Sequence, residues 1–142
     1  HAAVELHGYL AYITLCAVTG RDYTIYGYKG KQVRDQIHCN DVARLFLEFF
    51  KKPRCGEVYN LGGGRPNSIS VVETAGLLEN MGYLLRYQYS PNHRIGDHIC
   101  YISDLAKLQE HFPGWRCEYT ISRILSEIVE EQLRRSREGR PV

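Results

Sequence analysis

A length of 142 residues suits one ordinary domain, and a composition 44% hydrophobic and 24% charged is that of a chain that buries a core, which excludes a disordered tail. Eighteen Lys and Arg against sixteen Asp and Glu leave a formal net charge of +2, too little for a nucleic-acid footprint. No apolar run is long enough for a membrane span, since Glu5 and His7 interrupt the first one. No basic n-region with a small-residue cleavage site opens the chain, and a start on His1 rather than Met reads as a processed, engineered or truncated product. Cysteines at positions 16, 39, 55, 100 and 117, with no C-x-x-C, fit neither a disulfide framework nor a zinc knuckle. They read as reduced thiols of a cytoplasmic protein, most of them small buried apolar groups.

In chain order, Leu6, Tyr9, Leu10, Ile13, Cys16 and Ala17 recur at helical spacing, and Gly20 follows where a capping glycine stands. Tyr23-Thr-Ile-Tyr26 predicts a strand, residues 27–32 a turn or loop, and residues 33–38 a second strand. Asn40 or Asp41 is placed to cap a helix with the stripe Val42, Leu45, Phe46, Phe49 and Phe50, which Pro53 ends. Residues 57–61 read as a strand and Gly62-Gly-Gly-Arg-Pro-Asn67 as its exit loop. Ser70 and Glu73 form a capping box opening a helix of Val71, Ala75, Leu78 and Met81. Residues 84–89 predict a strand broken at Ser90-Pro-Asn92, and residues 99–102 a short extended piece. A helix follows from Ser103 or Asp104 with Leu105, Leu108 and Phe112 on one face. The last helix carries Ile121, Ile124, Leu125, Ile128 and Val129, supported by Glu130 with Arg134 and Glu131 with Arg135. Strands alternating with helices give an α/β class, expected as one compact unit.

Few residues carry chemistry on their own. Gly62-x-Gly64 follows a predicted strand as a dinucleotide fingerprint would. However, Asn67 takes the third glycine position, Pro66 intervenes, and no acidic residue ends the next strand. A tight turn needing positive φ is the better reading. His93 and His98 flank the cationic Arg94, and His38-Cys39 has no partner at ligand spacing, so neither predicts a metal site. No G-x-S-x-G elbow is present. Arg34 and Arg94 are planar forks suited to phosphate oxygens, and Asp97, three residues after Arg94, suits a sugar hydroxyl. On chemistry alone, a surface salt bridge from each arginine to its neighbouring aspartate stands ahead of that reading.

The segment Gly27-Tyr-Lys-Gly-Lys-Gln-Val-Arg-Asp-Gln-Ile-His-Cys-Asn-Asp-Val-Ala43 nevertheless resembles a stretch of the extended short-chain dehydrogenase/reductases, the NAD-dependent nucleotide-sugar epimerases and dehydratases. Glu57-Val-Tyr-Asn-Leu-Gly-Gly-Gly64, the Ser70 helix, and Arg94-Ile-Gly-Asp97 ahead of Ser103-Asp104 follow in that family's order. With Glu5-Leu-His-Gly-Tyr-Leu10 upstream, the branch most resembled is the CDP-paratose/CDP-tyvelose 2-epimerases. The resemblance implies the C-terminal, substrate-binding part of a Rossmann-like α/β fold, an incomplete parallel sheet with flanking helices. It implies that Arg34 and Arg94 grip a substrate diphosphate, Asp97 lies near the ribose, Tyr26 runs along the nucleobase, and His7 and Tyr9 face the sugar. The implied ligand is a nucleotide-diphosphate sugar, a CDP-sugar first.

Members bind NAD on a G-x-x-G-x-x-G loop and use a Tyr-x-x-x-Lys pair; none of the eleven tyrosines here has Lys four positions on, and no such loop occurs. The resemblance therefore implies no catalytic residue, no cofactor for this chain alone, and NAD in the intact family member. A homodimer or higher oligomer is expected. The competing reading is a non-catalytic truncated product acting as an oligomeric binding or scaffold protein.

Overall fold

A computed structural model describes residues 8–93 and 95–138. The chain forms two compact units. One takes the residues up to Gln32, then Ser70–Ile99 and the residues from Ser122; the other takes Val33–Ile69 and Cys100–Ile121.

In the first unit, helix α1 (Tyr9–Thr19) ends at Gly20, whose φ of 68° lets its amide cap the Cys16 carbonyl. The strand β1 (Tyr23–Tyr26) alternates buried and half-buried residues. Ser70 caps helix α3 (Val71–Asn80) through the expected reciprocal box: its hydroxyl accepts from the Glu73 amide, and the Glu73 carboxylate accepts from the Ser70 amide at 2.8 Å. The strand β4 (Tyr87–Ser90) runs parallel to β1, with Tyr23 opposite Tyr87 and Tyr26 opposite Ser90. It starts three residues later than its predicted position. The buried residues include Ile13 and Cys16 of α1, Ile25 of β1, Leu78 of α3, and Leu125 and Val129 of helix α5 (Ile121–Arg137). On α5, Glu131 pairs with Arg135 at 2.7 Å as expected, whereas Arg134 turns to Glu131 and Glu138 instead of Glu130.

The second unit is built on a short sheet of strand order β3 (Ser68–Ser70), β2 (Val33–Asp35) and β5 (Cys100–Tyr101), with β2 and β5 parallel. Helix α2 (Cys39–Lys51) is capped by neither Asn40 nor Asp41 but by His38, whose Nδ1 accepts from the Asn40 amide at 3.1 Å. Helix α4 spans Ala106–His111, where Asp104 accepts from the Ala106 amide. Leu45, Leu108, Phe112 and Trp115 form the core of this unit, with Ile37, Phe49, Tyr59 and Leu61 packed on it.

Residues 57–61 depart from expectation. The alternation is present, with Tyr59 and Leu61 half-buried and Val58 and Asn60 exposed, yet no ladder forms and the segment is not a strand. A strand is defined by its hydrogen-bonded neighbour, and no described strand runs beside it. The stripe of α2 is also split: Leu45 is buried, but Phe46 and Phe50 are 62% and 86% exposed. Among the cysteines only Cys16 is buried; Cys39, Cys55 and Cys100 are exposed, and all five are free thiols.

No described helix is long and apolar enough to cross a membrane. Among the described residues no three His, Cys, Asp or Glu converge as metal ligands.

Candidate functional site

Parallel strands present their following loops at one edge, and in open α/β sheets ligands bind at that carboxyl edge. In the first unit β1 and β4 are such a pair, followed by residues 27–32 and 91–97. Tyr26 is the last residue of β1, and Asp97 lies half-buried in the second loop. Tyr9 opens α1 in the same unit. His7 and Arg94 lie outside the described residues.

The first loop is an unusual turn. Gly27, Tyr28, Lys29 and Gly30 have φ of 65°, 48°, 54° and 72°. A non-glycine residue in the left-handed region costs roughly 1–2 kcal/mol, so Tyr28 and Lys29 are held there by their surroundings. The Gly30 amide donates to the Gly27 carbonyl at 3.1 Å and the Lys31 amide to that of Tyr28 at 3.0 Å. Gln32 Nε2 reaches back to the Tyr26 carbonyl at 3.2 Å and closes the turn onto the end of β1. The Gly27 amide donates to the Ser90 carbonyl at 2.8 Å, tying the turn to the end of β4.

Arg34 lies in the second unit, in β2 opposite Tyr101, half-buried, with Nη1 donating to the Val33 carbonyl at 2.7 Å. The carboxylate of its neighbour Asp35 accepts from the backbone amides of Gly64 at 2.9 Å and Ser103 at 3.1 Å. Gly62 and Gly63 serve this packing. A Cβ on Gly62 would meet Ser103 Oγ and Asp35 Oδ2, and one on Gly63 would meet the Gln36 carbonyl oxygen at 1.9 Å. Of the three, Gly64, at φ 63°, has the positive φ expected of a tight turn here. A dinucleotide pyrophosphate does not fit here, because the amide it would use is taken and a carboxylate stands beside it.

Asp41 is the residue that local reading mistook. It is wholly buried, and its carboxylate accepts from the amides of Glu118 at 3.1 Å and Tyr119 at 3.3 Å and from Arg44 Nη2 at 2.6 Å. Its carbonyl accepts from Trp115 Nε1 at 3.0 Å. Tyr119 is clamped further: the His38 ring stacks on it at 3.8 Å, Asn40 donates to its hydroxyl, and Asn67 donates to its carbonyl. A cavity of about 270 Å³ beside it is lined by Asn67, Gln109, Arg116, Cys117 and Tyr119 among others. Burial, helped by the Asp41 carboxylate, pushes the Cys117 thiol up to about 11. It stays a neutral thiol at physiological pH rather than a nucleophile.

The curated relatives share this chain's sequence over part of their length. A dTDP-glucose 4,6-dehydratase of Escherichia coli is 32% identical over 116 residues, 72% of this chain and 31% of that protein. The CDP-paratose 2-epimerase of Salmonella typhi is 35% identical over 92 residues, 62% of this chain and 26% of that protein. Among solved structures, the UDP-glucose 4-epimerase of Thermotoga maritima with UDP-glucose superposes with a TM-score of 0.75 at 30% identity, covering 91% of this chain and 40% of the epimerase. The chain belongs with the extended short-chain dehydrogenase/reductases, in their nucleotide-sugar epimerase and dehydratase branch. It spans about a third of the length of the curated relatives it matches. No family model matches it. MoeE5, solved with UDP-glucuronic acid and NAD, gives the same TM-score of 0.75 at 27% identity over 92% of this chain. As a member of this group the chain has the α/β, Rossmann-like architecture expected from its sequence, with small parallel sheets and flanking helices.

Proposed function

We propose that this chain holds the nucleotide diphosphate of a nucleotide sugar and is the substrate-side portion of an NAD-dependent sugar epimerase or dehydratase. The observation that carries the reading is the pair of loops following the parallel strands β1 and β4, one beginning after Tyr26 and the other bearing Asp97. They belong to a chain whose relatives are named for dTDP-, CDP- and UDP-sugars. In this reading Arg34 and Arg94 take the diphosphate, since a guanidinium fork matches phosphate oxygens. Asp97 accepts from ribose hydroxyls, Tyr26 lies along the base, and His7 and Tyr9 border the sugar. The resemblance of residues 5–10 favours a CDP-sugar. The chain's part is binding and orientation, because neither a Tyr-x-x-x-Lys pair nor a G-x-x-G-x-x-G loop is among its residues. Five free thiols favour a reducing, cytoplasmic setting.

Calorimetric titration of the 142-residue chain with CDP, UDP and dTDP tests this. Saturable binding of a nucleoside diphosphate, tighter than of the matching monophosphate, is expected, with CDP tightest. Absence of binding by all three overturns it.

We also propose that the chain self-associates. Phe46, Leu47 and Phe50 are all more than half exposed on α2, and apolar faces of this kind favour burial against a second copy. A mass that stays monomeric in light scattering at micromolar concentration would refute this.

A further inference from the structure

Because β1 and β4 are parallel, no hairpin joins them. The loops after them are separate pieces of chain, whose relative placement depends on contacts between them. Such contacts exist and centre on His93, the residue immediately before Arg94 in sequence. The ring of Tyr28 lies 5.4 Å from that of His93, tilted by 37°. Gly27 is packed so closely that a Cβ there would stand 2.6 Å from His93 Cβ and 2.9 Å from its Cα. The left-handed turn is what brings Tyr28 to this place, one residue after a glycine that leaves the His93 backbone room to approach.

We propose that Gly27 and Tyr28 are positioning residues that, by fixing His93, set the course on which the chain leaves β4 towards Asp97, and so place Asp97 for a nucleotide; this rests on the nucleotide-diphosphate reading above. Neither needs to touch the ligand. Their effect is preorganisation: a loop already held in its bound conformation loses less freedom on binding. The strain at Tyr28 and Lys29 is then part of the device, since relaxing the turn would withdraw the ring from His93.

The test uses the 142-residue chain with Tyr28→Leu, Tyr28→Phe, Gly27→Ala and Asp97→Ala, reading dissociation constants for CDP and UDP together with thermal midpoints. Tyr28→Leu is expected to weaken binding roughly two- to tenfold, the worth of an aromatic pair, while Tyr28→Phe keeps the ring and restores the affinity. Combined with Asp97→Ala, Tyr28→Leu should lose less than the sum of the single effects, because it acts through the loop that bears Asp97. Gly27→Ala should weaken binding at least as much; if it fails to fold, the Tyr28 series decides. Wild-type binding with Tyr28→Leu unchanged, or with fully additive losses, overturns the proposal. A wild-type chain that binds neither nucleotide overturns the functional reading and takes the proposal with it. Intact wild-type binding tells the two failures apart.

Discussion

The carboxylate of Asp41 and the backbone amide of Glu118 are 3.1 Å apart across 77 positions of sequence. The same carboxylate serves Tyr119 and Arg44, so one buried charge satisfies two amides and a guanidinium. Taking it away leaves the two amides without their acceptor, while the partly exposed Arg44 keeps Glu118 and the Arg116 carbonyl; an orphaned buried donor typically costs ~1–3 kcal/mol. Asp41→Ala is therefore expected to cost about that much in urea unfolding, and Asp41→Asn less, because the amide oxygen still accepts. Full stability in Asp41→Ala would show that the segment 115–119 holds itself.

The capping box of α3 gives a milder, pH-dependent effect. Ser70→Ala should cost about 1 kcal/mol, the usual worth of such a cap. The Ser70 hydroxyl, and after it the Ser70 amide, hold the Glu73 carboxyl below its ordinary value. A carboxyl depressed on folding contributes fully above its unfolded pKa, and that contribution fades as pH falls through the carboxylate range. Acid unfolding of Glu73→Gln, compared with wild type, should lack this share of the pH dependence. Parallel curves for the two proteins would contradict it.

These two sites also show what could be read from the sequence and what could not. Ser70 and Glu73 are three residues apart, so the hydrogen bonds lie within one turn and the pattern suffices. Asp41 has the same local look, a small polar residue before an apolar stripe, but the two amides it accepts from lie more than 70 residues on. Local chemistry predicts a cap there; tertiary burial makes it an anchor, and His38 caps instead. Residues 57–61 repeat the lesson: alternation marks which side chains face a core, while a ladder needs a neighbour that no local pattern specifies. In the candidate site the turn 27–30 was legible from its glycines. The left-handed Tyr28 and its contact with His93 were not, because they arise from packing 65 positions away.

Two glycine substitutions should move stability in opposite directions. A methyl on Gly63 would meet the Gln36 carbonyl oxygen at 1.9 Å, so backbone must shift, and overpacking of this kind costs ~1–3 kcal/mol. Gly76 lies inside α3 with nothing within 4 Å of its notional Cβ. Alanine there should stabilise by roughly 0.5–1 kcal/mol through helix propensity. A thermal midpoint of Gly63→Ala at or above wild type would show that the close approach at Gly63 is not what holds the loop, and one of Gly76→Ala below wild type would refute the gain in helix propensity.

Arg34 is the described arginine on which the functional reading leans most. A charge-assisted contact to phosphate is worth ~1.5–3 kcal/mol, so Arg34→Ala should weaken CDP or UDP binding by roughly ten- to a hundredfold. Arg34→Lys keeps the charge without the planar fork and should recover only part of that loss. Unchanged affinity in Arg34→Ala would move the diphosphate away from β2.

The glycine run is expected to refuse the cofactor that its spacing superficially invites. Dinucleotide loops work because glycine amides are free to face a pyrophosphate at a helix N-terminus. Here the Gly64 amide already donates to Asp35 at 2.9 Å, and Ser103 donates to the same oxygen. A phosphate in that place would displace both bonds and stand against a carboxylate; at ~4 Å and an effective dielectric of about 20, two unit charges repel by ~4 kcal/mol. Gly62 and Gly63 offer no compensation, since their missing side chains make room for Ser103 and Gln36. Titrating NAD into the 142-residue chain should therefore give no saturable binding, and the chain mixed with NAD and a nucleotide sugar should show no turnover. Saturable NAD binding that Asp35→Asn strengthens and Gly63→Ala abolishes would place the dinucleotide on this loop after all, and would mean that the Asp35 carboxylate swings away from Gly64 to admit it.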